Sequence, residues 1–157
     1  MHELKYGGWH GLAAPMAARM ARMTWPGDVV RERTALVAVP LAGTRQRERG
    51  SNQSERLASG LATHWGIPVW NDVLARARTT ETQTRLTPEA RRRNVSGAFH
   101  AITAARPRLH GAHILLVDDV VTTGATLVEC ASALLDGGAR IVSFATFGRA
   151  PASGDHR

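Results

Sequence analysis

What this chain has little of narrows it first. Its 157 residues include one cysteine, Cys130, which excludes an intrachain disulfide and a cysteine-rich zinc site. Lysine occurs once, at Lys5, so all other members of the twenty-residue basic set are arginine. Aromatic residues make up only 5%. No apolar run approaches the roughly 18–20 residues of a membrane span. Met1 to Lys5 lacks the charged-then-apolar pattern of a secretory signal, so a cytoplasmic location is expected. Neither G-x-x-x-x-G-K-[ST] nor G-x-G-x-x-G occurs, which removes the P-loop and Rossmann readings. The seven histidines show no metal-ligand spacing. Internal repeats and low-complexity tracts are absent.

What is there is one globular domain with a surplus of arginine. The hydrophobic fraction is 43%, the charged fraction 21% and the formal charge +7. The surplus is uneven. Residues 76–108 hold eight arginines against Glu81 and Glu89, and residues 31–56 hold six against three acids. Clustering of this kind suits a polyanionic partner such as phosphate, pyrophosphate or nucleic acid. Arginine-biased composition on a solvated surface is the competing reading.

Helical and strand-like segments alternate, which favours an α/β layer fold. Leu12, Met16, Met20 and Met23 predict an amphipathic helix ending before Trp25-Pro26-Gly27. Ala35 to Val39 reads as a buried parallel strand closed by Pro40. Asn52 to Trp65 reads as a helix, with Asn52 and Glu55 as a capping box and Leu57, Leu61 and Trp65 on one face. Ile67 to Trp70 suggests a short second strand. Residues 76–94 carry no periodicity beyond the helix-start signal Thr87-Pro88-Glu89, and a loop this long is usually functional. Ala98 to Ala104 is only weakly ordered by sequence. His113 to Val117 is the clearest strand. Ala125 to Asp136 predicts a helix with Leu127, Ala131, Leu134 and Leu135 inward, stopped by Gly137-Gly138. Ile141 to Phe147 is a last strand, and residues 150–157 read as a disordered tail. Cys130, mid-helix, reads as a small core residue.

The informative stretch is Val117-Asp118-Asp119-Val120-Val121-Thr122-Thr123-Gly124-Ala125-Thr126. Ligands of open α/β sheets bind beyond the carboxyl ends of strands. Asp118 and Asp119 sit at such an end. The turn Thr122, Thr123, Gly124, Ala125, Thr126 then opens a helix and offers backbone N–H groups, three hydroxyls and a positive dipole end, which suit a phosphate monoester. Ionised carboxylates accept hydrogen bonds from a vicinal diol. Diol acceptors beside a phosphate cradle describe a ribose 5-phosphate site. A Walker B strand would need its P-loop, and a phosphoacceptor receiver domain would need an earlier acidic pair and a late lysine.

This stretch resembles the PRPP-binding signature of type I phosphoribosyltransferases. Within that superfamily the chain is similar to the ComF family of competence-associated proteins. The resemblance extends to Leu4-Lys5-Tyr6-Gly7-Gly8, and to Val39-Pro40-Leu41, Arg45, Arg47 and Arg49-Gly50-Ser51-Asn52-Gln53. It also takes in Gln83, Leu86, Arg91, Arg92, Asn94 and Ala98-Phe99. Two departures stand out. The four-cysteine zinc module with which the family often begins is absent from this sequence. Ser51 also stands where the family usually has an aromatic residue.

The resemblance implies an α/β type I phosphoribosyltransferase fold over residues 1–149. A small N-terminal hood would occupy about 1–30 and a mobile loop about 76–98. It implies that Asp118 and Asp119 hold the ribose hydroxyls and that residues 122–126 hold the 5-phosphate. Leu41, Ala42, Arg45 and Arg47 would lie at the pyrophosphate, and Arg78, Gln83, Arg91 and Arg92 would belong to the loop that closes over it. Mg²⁺ would arrive mainly on the substrate oxygens, with Asp118 and Asp119 as candidate ligands. The activity implied is displacement of pyrophosphate from PRPP by an unidentified acceptor. The alternative is a non-catalytic competence protein that binds single-stranded DNA during uptake, with Arg91-Arg92-Arg93 either on that surface or on a solvated helix face. A homodimer and competence-machinery partners are further expectations.

Overall fold

The computed structural model describes residues 9–41, 52–77 and 96–150. Helix α1 (Trp9–Ala21) and a short α2 (Gly27–Glu32) precede strand β1 (Arg33–Ala38). Helix α3 (Gln53–Trp65), β2 (Leu74–Arg76) and β3 (Phe99–Ala101) come next. A 3₁₀ turn (Thr103–Ala105) leads into α4 (Arg106–Leu109), and then β4 (His113–Val121), α5 (Ala125–Asp136) and β5 (Ile141–Arg149) complete the order.

The main sheet runs β1-β4-β5 with both pairings parallel. A further parallel bridge joins Val69 to Leu36 on the free side of β1. The interior of β4 explains its place. His113 to Val117 are all buried, because helices cover both faces of a parallel sheet. On one face α1 and α3 enclose Met16, Met20, Leu36, Leu57, Leu61 and Leu115. On the other face α5 and the antiparallel β2-β3 pair enclose Val37, Phe99, Leu109, Ile114, Leu116 and Leu134. Each such side chain taken wholly out of water contributes about 1.5–3 kcal/mol.

Chain direction follows from these two layers. From β1 the chain runs through α3 to the Val69 bridge, on one side of β1. From β4 it runs through α5 on the opposite face to β5, on the other side of β4. The crevice between the carboxyl ends of β1 and β4 is therefore a topological switch point, the place where open α/β sheets take ligands.

Several local expectations are corrected. Ala98 to Ala104 is ordered, because Phe99–Ala101 pairs with Leu74–Arg76 and buries Ala98 and Phe99; tertiary pairing overrides a weak local signal. Leu135 is exposed: the inward stripe of α5 is Leu127, Cys130, Ala131 and Leu134, and Leu135 falls one residue's rotation beyond it. Of the four apolar residues that predict α1, only Met16 and Met20 are buried, with Ala17 between them. Leu12 points outward, and Met23 lies past the helix end in an exposed bend. The Ile67–Trp70 strand reduces to one bridge, and β5 continues two residues beyond Phe147. Helix α2 carried no signal strong enough to be expected. Cys130 is fully buried, and burial pushes its thiol pKa up, in keeping with an inert core residue. The Thr87 helix start lies outside the described residues.

Candidate functional site

β4 outruns β1. Its last residue paired to β1 is Val117, opposite Ala38, whereas its pairing with β5 continues to Val121. Asp118 and Asp119 occupy the overhang, with one strand edge turned to the switch-point crevice. The sequence suggests a strand ending at the two carboxylates with a short loop after them; the strand in fact continues through Val121, and the turn begins at Thr122.

Two helix N-termini converge on this overhang. The first is that of α3. Asn52 is its N-cap, and the Asn52 side chain accepts from the Ser54 backbone N–H at 3.1 Å. The Asn52 side-chain amide donates to Val39 O at 3.0 Å and to Glu55 Oε1 at 3.1 Å. Thus Asn52 fixes the start of α3 to the exit of β1. From the second residue of the helix, Ser54 Oγ donates to Asp118 Oδ1 at 2.9 Å.

The second N-terminus is that of α5. Gly124 is its N-cap, at φ +77°, a left-handed conformation that a side chain would strain. As a glycine, Gly124 brings no capping side chain of its own to the positive end of the helix. The Ala125 N–H reaches Thr123 Oγ1 at 3.4 Å, and Thr122 to Thr126 are all half-buried. This is the geometry in which backbone amides and hydroxyls receive a phosphate.

The two carboxylates differ. Asp118 Oδ1 also accepts from the Asp119 N–H at 3.0 Å, and Asp119 Oδ1 accepts from the Val120 N–H at 2.7 Å. Burial, and then the negative charge of Asp119, push the Asp118 pKa up to about 7. The Ser54 hydroxyl and the Asp119 amide oppose that rise in part. Near neutral pH Asp118 is poised between acid and carboxylate, and a cation or a hydrogen-bonding diol beside it would favour the ionised form.

Asp118, Asp119, Thr122, Thr123, Gly124, Ala125 and Thr126 are brought together at one end of the sheet. Leu41 is half-buried just after the end of β1. Ala42, Arg45, Arg47, Arg78, Gln83, Arg91 and Arg92 lie outside the described residues. Sequence reasoning missed Ser54. Its signal was the capping box itself: Asn52 as N-cap puts Ser54 in the first turn, and a parallel β1-β4 pair puts that turn above Asp118. Among the described residues no group of three or more histidine, cysteine, aspartate or glutamate side chains forms a metal cage.

Residues 11–157 match the family model described as the phosphoribosyl transferase domain. The DNA utilization protein YhgH of Salmonella typhi is 36% identical over 150 residues, spanning 90% of this chain and 62% of that protein. Competence protein F of Haemophilus influenzae is 37% identical over 100 residues, spanning 64% of this chain and 43% of that protein. The chain thus spans less than two thirds of the length of these curated relatives. The solved glutamine phosphoribosylpyrophosphate amidotransferase from B. subtilis aligns with a TM-score of 0.58 at 20% identity, over 88% of this chain and 26% of that one. At that identity the likeness speaks for the fold.

Proposed function

Because the chain belongs to the phosphoribosyl transferase domain family, in its ComF branch, we propose that the β1–β4 crevice binds Mg²⁺-PRPP and transfers its phosphoribosyl group. One observation carries this reading. Adjacent carboxylates on the β4 overhang lie at the same end of the sheet as a glycine-capped helix start with flanking threonine hydroxyls. Few ligands other than a ribose 5-phosphate need both halves.

The donor set fits a magnesium ion carried by substrate. Asp118 and Asp119 are hard oxygen donors, and no group of three or more acidic, histidine or cysteine side chains placed to hold a metal occurs among the described residues, so a magnesium ion held here would take its other ligands from substrate oxygens and water. Asp118 and Asp119 would hold that ion directly or through water, and the ion would neutralise charge on the departing pyrophosphate. Residues 122–126 anchor the 5-phosphate and so fix the ribose over the carboxylates. Ionised Asp118 accepts from a ribose hydroxyl, and the Ser54 hydroxyl fixes the orientation of its carboxylate. The bond from C1 to the pyrophosphate oxygen breaks with its electron pair leaving on pyrophosphate. An acceptor lone pair forms the new bond, and the acceptor's proton passes to solvent. Positioning and leaving-group stabilisation supply the rate, so no protein nucleophile is required. Arg45, Arg47, Arg91 and Arg92 are the proposed contacts to pyrophosphate.

A second reading is favoured by the names of the relatives, one a DNA utilization protein and one a competence protein. In it the arginine-rich segments bind single-stranded DNA, with or without turnover. The two readings separate experimentally. Calorimetry with Mg²⁺-PRPP should give saturable binding that Asp118→Asn with Asp119→Asn abolishes. Pyrophosphate release is then measured against a panel of bases, amines and nucleotides. Binding without release under any acceptor would sink the transferase reading and keep the ligand site. No binding at all would remove the site. In the DNA reading, replacing Arg91, Arg92 and Arg93 by Ala flattens the salt dependence of single-strand binding.

A further inference from the structure

A cavity of about 340 Å³ opens on the α1 side of the sheet, between the C-terminal end of α1 and β5. Its lining is Arg19, Met20, Arg22, Met23, Thr146 and Phe147. We infer that this cleft binds a free nucleoside monophosphate, with the phosphate on Arg19 and Arg22 and the base against Phe147 and the two methionines.

The two arginines set the charge. They stand three residues apart at the end of α1: Arg19 is in its last turn and Arg22 in the turn just after it, where the Arg22 N–H donates to Arg19 O at 3.2 Å. Both are exposed, and among the described residues neither forms an ion pair. Some other arginines of the described chain are engaged, Arg108 with Asp72 and Trp70, Arg140 with Glu32, and Arg33 over Trp65, while Arg31, Arg56, Arg106 and Arg149 form no ion pair among the described residues. No carboxylate belongs to the cleft lining, so nothing there neutralises the pair. Adjacent guanidinium groups offer forked donors that match phosphate oxygens.

The rest of the lining suits a flat ring. Met20 is buried and forms a floor, while Met23 and Phe147 are exposed at the rim. Thioethers and an aromatic face make soft, sequence-tolerant contacts with a heterocycle. The volume lies at the lower end of small-molecule pockets, roughly 300–1,000 Å³, and suits one nucleotide better than a strand. The position also matters. Thr146 pairs in register with Asp118, so the β5 wall of the cleft is one strand away from the carboxylates. A nucleotide held here would lie beside the ribose-phosphate site without using its residues.

The test is equilibrium binding of AMP, GMP, CMP and UMP to the full chain, without PRPP. Micromolar-to-millimolar binding of at least one is expected. Arg19→Ala with Arg22→Ala should weaken it at least about tenfold, the effect of losing a hydrogen bond to a charged group. Phe147→Ala should weaken it separately, and Arg19→Lys with Arg22→Lys should restore part of the affinity. Circular dichroism checks that each variant is folded, and Mg²⁺-PRPP binding is measured on the same samples. A wild type that binds PRPP but no mononucleotide would overturn this inference and leave the ribose-phosphate reading standing. Mononucleotide binding that the arginine variants leave unchanged, or binding of oligonucleotides alone, would also overturn it.

Discussion

Ser54 Oγ lies 2.9 Å from Asp118 Oδ1, joining the first turn of α3 to the overhang of β4 across 64 residues of sequence. The bond orients one carboxylate and favours its ionised form. Ser54→Ala should therefore weaken Mg²⁺-PRPP binding by roughly tenfold, the equivalent of one hydrogen bond to a charged group. Ser54→Thr keeps the hydroxyl and should recover most of the loss. Calorimetry on the two variants checks this, and equal affinity of Ser54→Ala and wild type would remove Ser54 from the site.

Asp118 carries a pH signature in stability. Its folded pKa, about 7, lies above the ordinary 3.8, so the folded state holds a proton more tightly than the unfolded chain. The stability this group contributes is fully present below about pH 4 and is lost as pH rises through about 7. Asp118→Asn cannot ionise and cannot repel Asp119. Its melting temperature should exceed that of wild type above pH 7, with the gain fading toward pH 4. Thermal melts across that range decide it. A gain independent of pH would mean that burial does not disfavour the Asp118 charge.

The face opposite α5 depends on close helix approach. A Cβ added at Gly60 in α3 would come within 2.5 Å of the Ala17 Cβ in α1. Alanine improves helix propensity by about 1 kcal/mol, but overpacking costs about 1–3 kcal/mol and is expected to win where both partners are helical backbone positions. Gly60→Ala should be destabilised in urea unfolding, and adding Ala17→Gly should recover stability. Additive losses in the double variant would show that the two positions do not meet.

How far the site was readable from sequence follows from what kind of contact made it. Asp118 to Thr126 is contiguous, so strand, turn and helix start appear as one string. Their chemistry needs no knowledge of distant chain. The capping role of Asn52 was equally local. The Ser54–Asp118 bond was not, since it exists only because β1 and β4 lie side by side in parallel. The order at Phe99–Ala101 was hidden for the same reason: three residues gain strand structure only from Leu74–Arg76. The exposed Leu135 shows a different limit. A leucine one position off a helical stripe is indistinguishable by composition from one within it, and only the actual neighbours of α5 decide.

Asn52 ties these layers together, and its loss should be felt twice. The side chain is buried and makes three bonds, to the Ser54 N–H, Val39 O and Glu55 Oε1. Asn52→Ala removes an N-cap, which costs about 1 kcal/mol, and leaves the Val39 carbonyl without that donor, which costs about 1–3 kcal/mol. A loss of about 2–4 kcal/mol in urea unfolding is expected from these together. Asn52→Asp separates the contributions. It keeps the acceptor for Ser54 but gives up the donor to Val39 and sets a second negative charge against Glu55. Asp should therefore rescue little near neutral pH and more in acid, where protonation restores a donor and relieves the repulsion. Full rescue by Asp at neutral pH would assign the whole effect to the cap and none to the tie between α3 and β1.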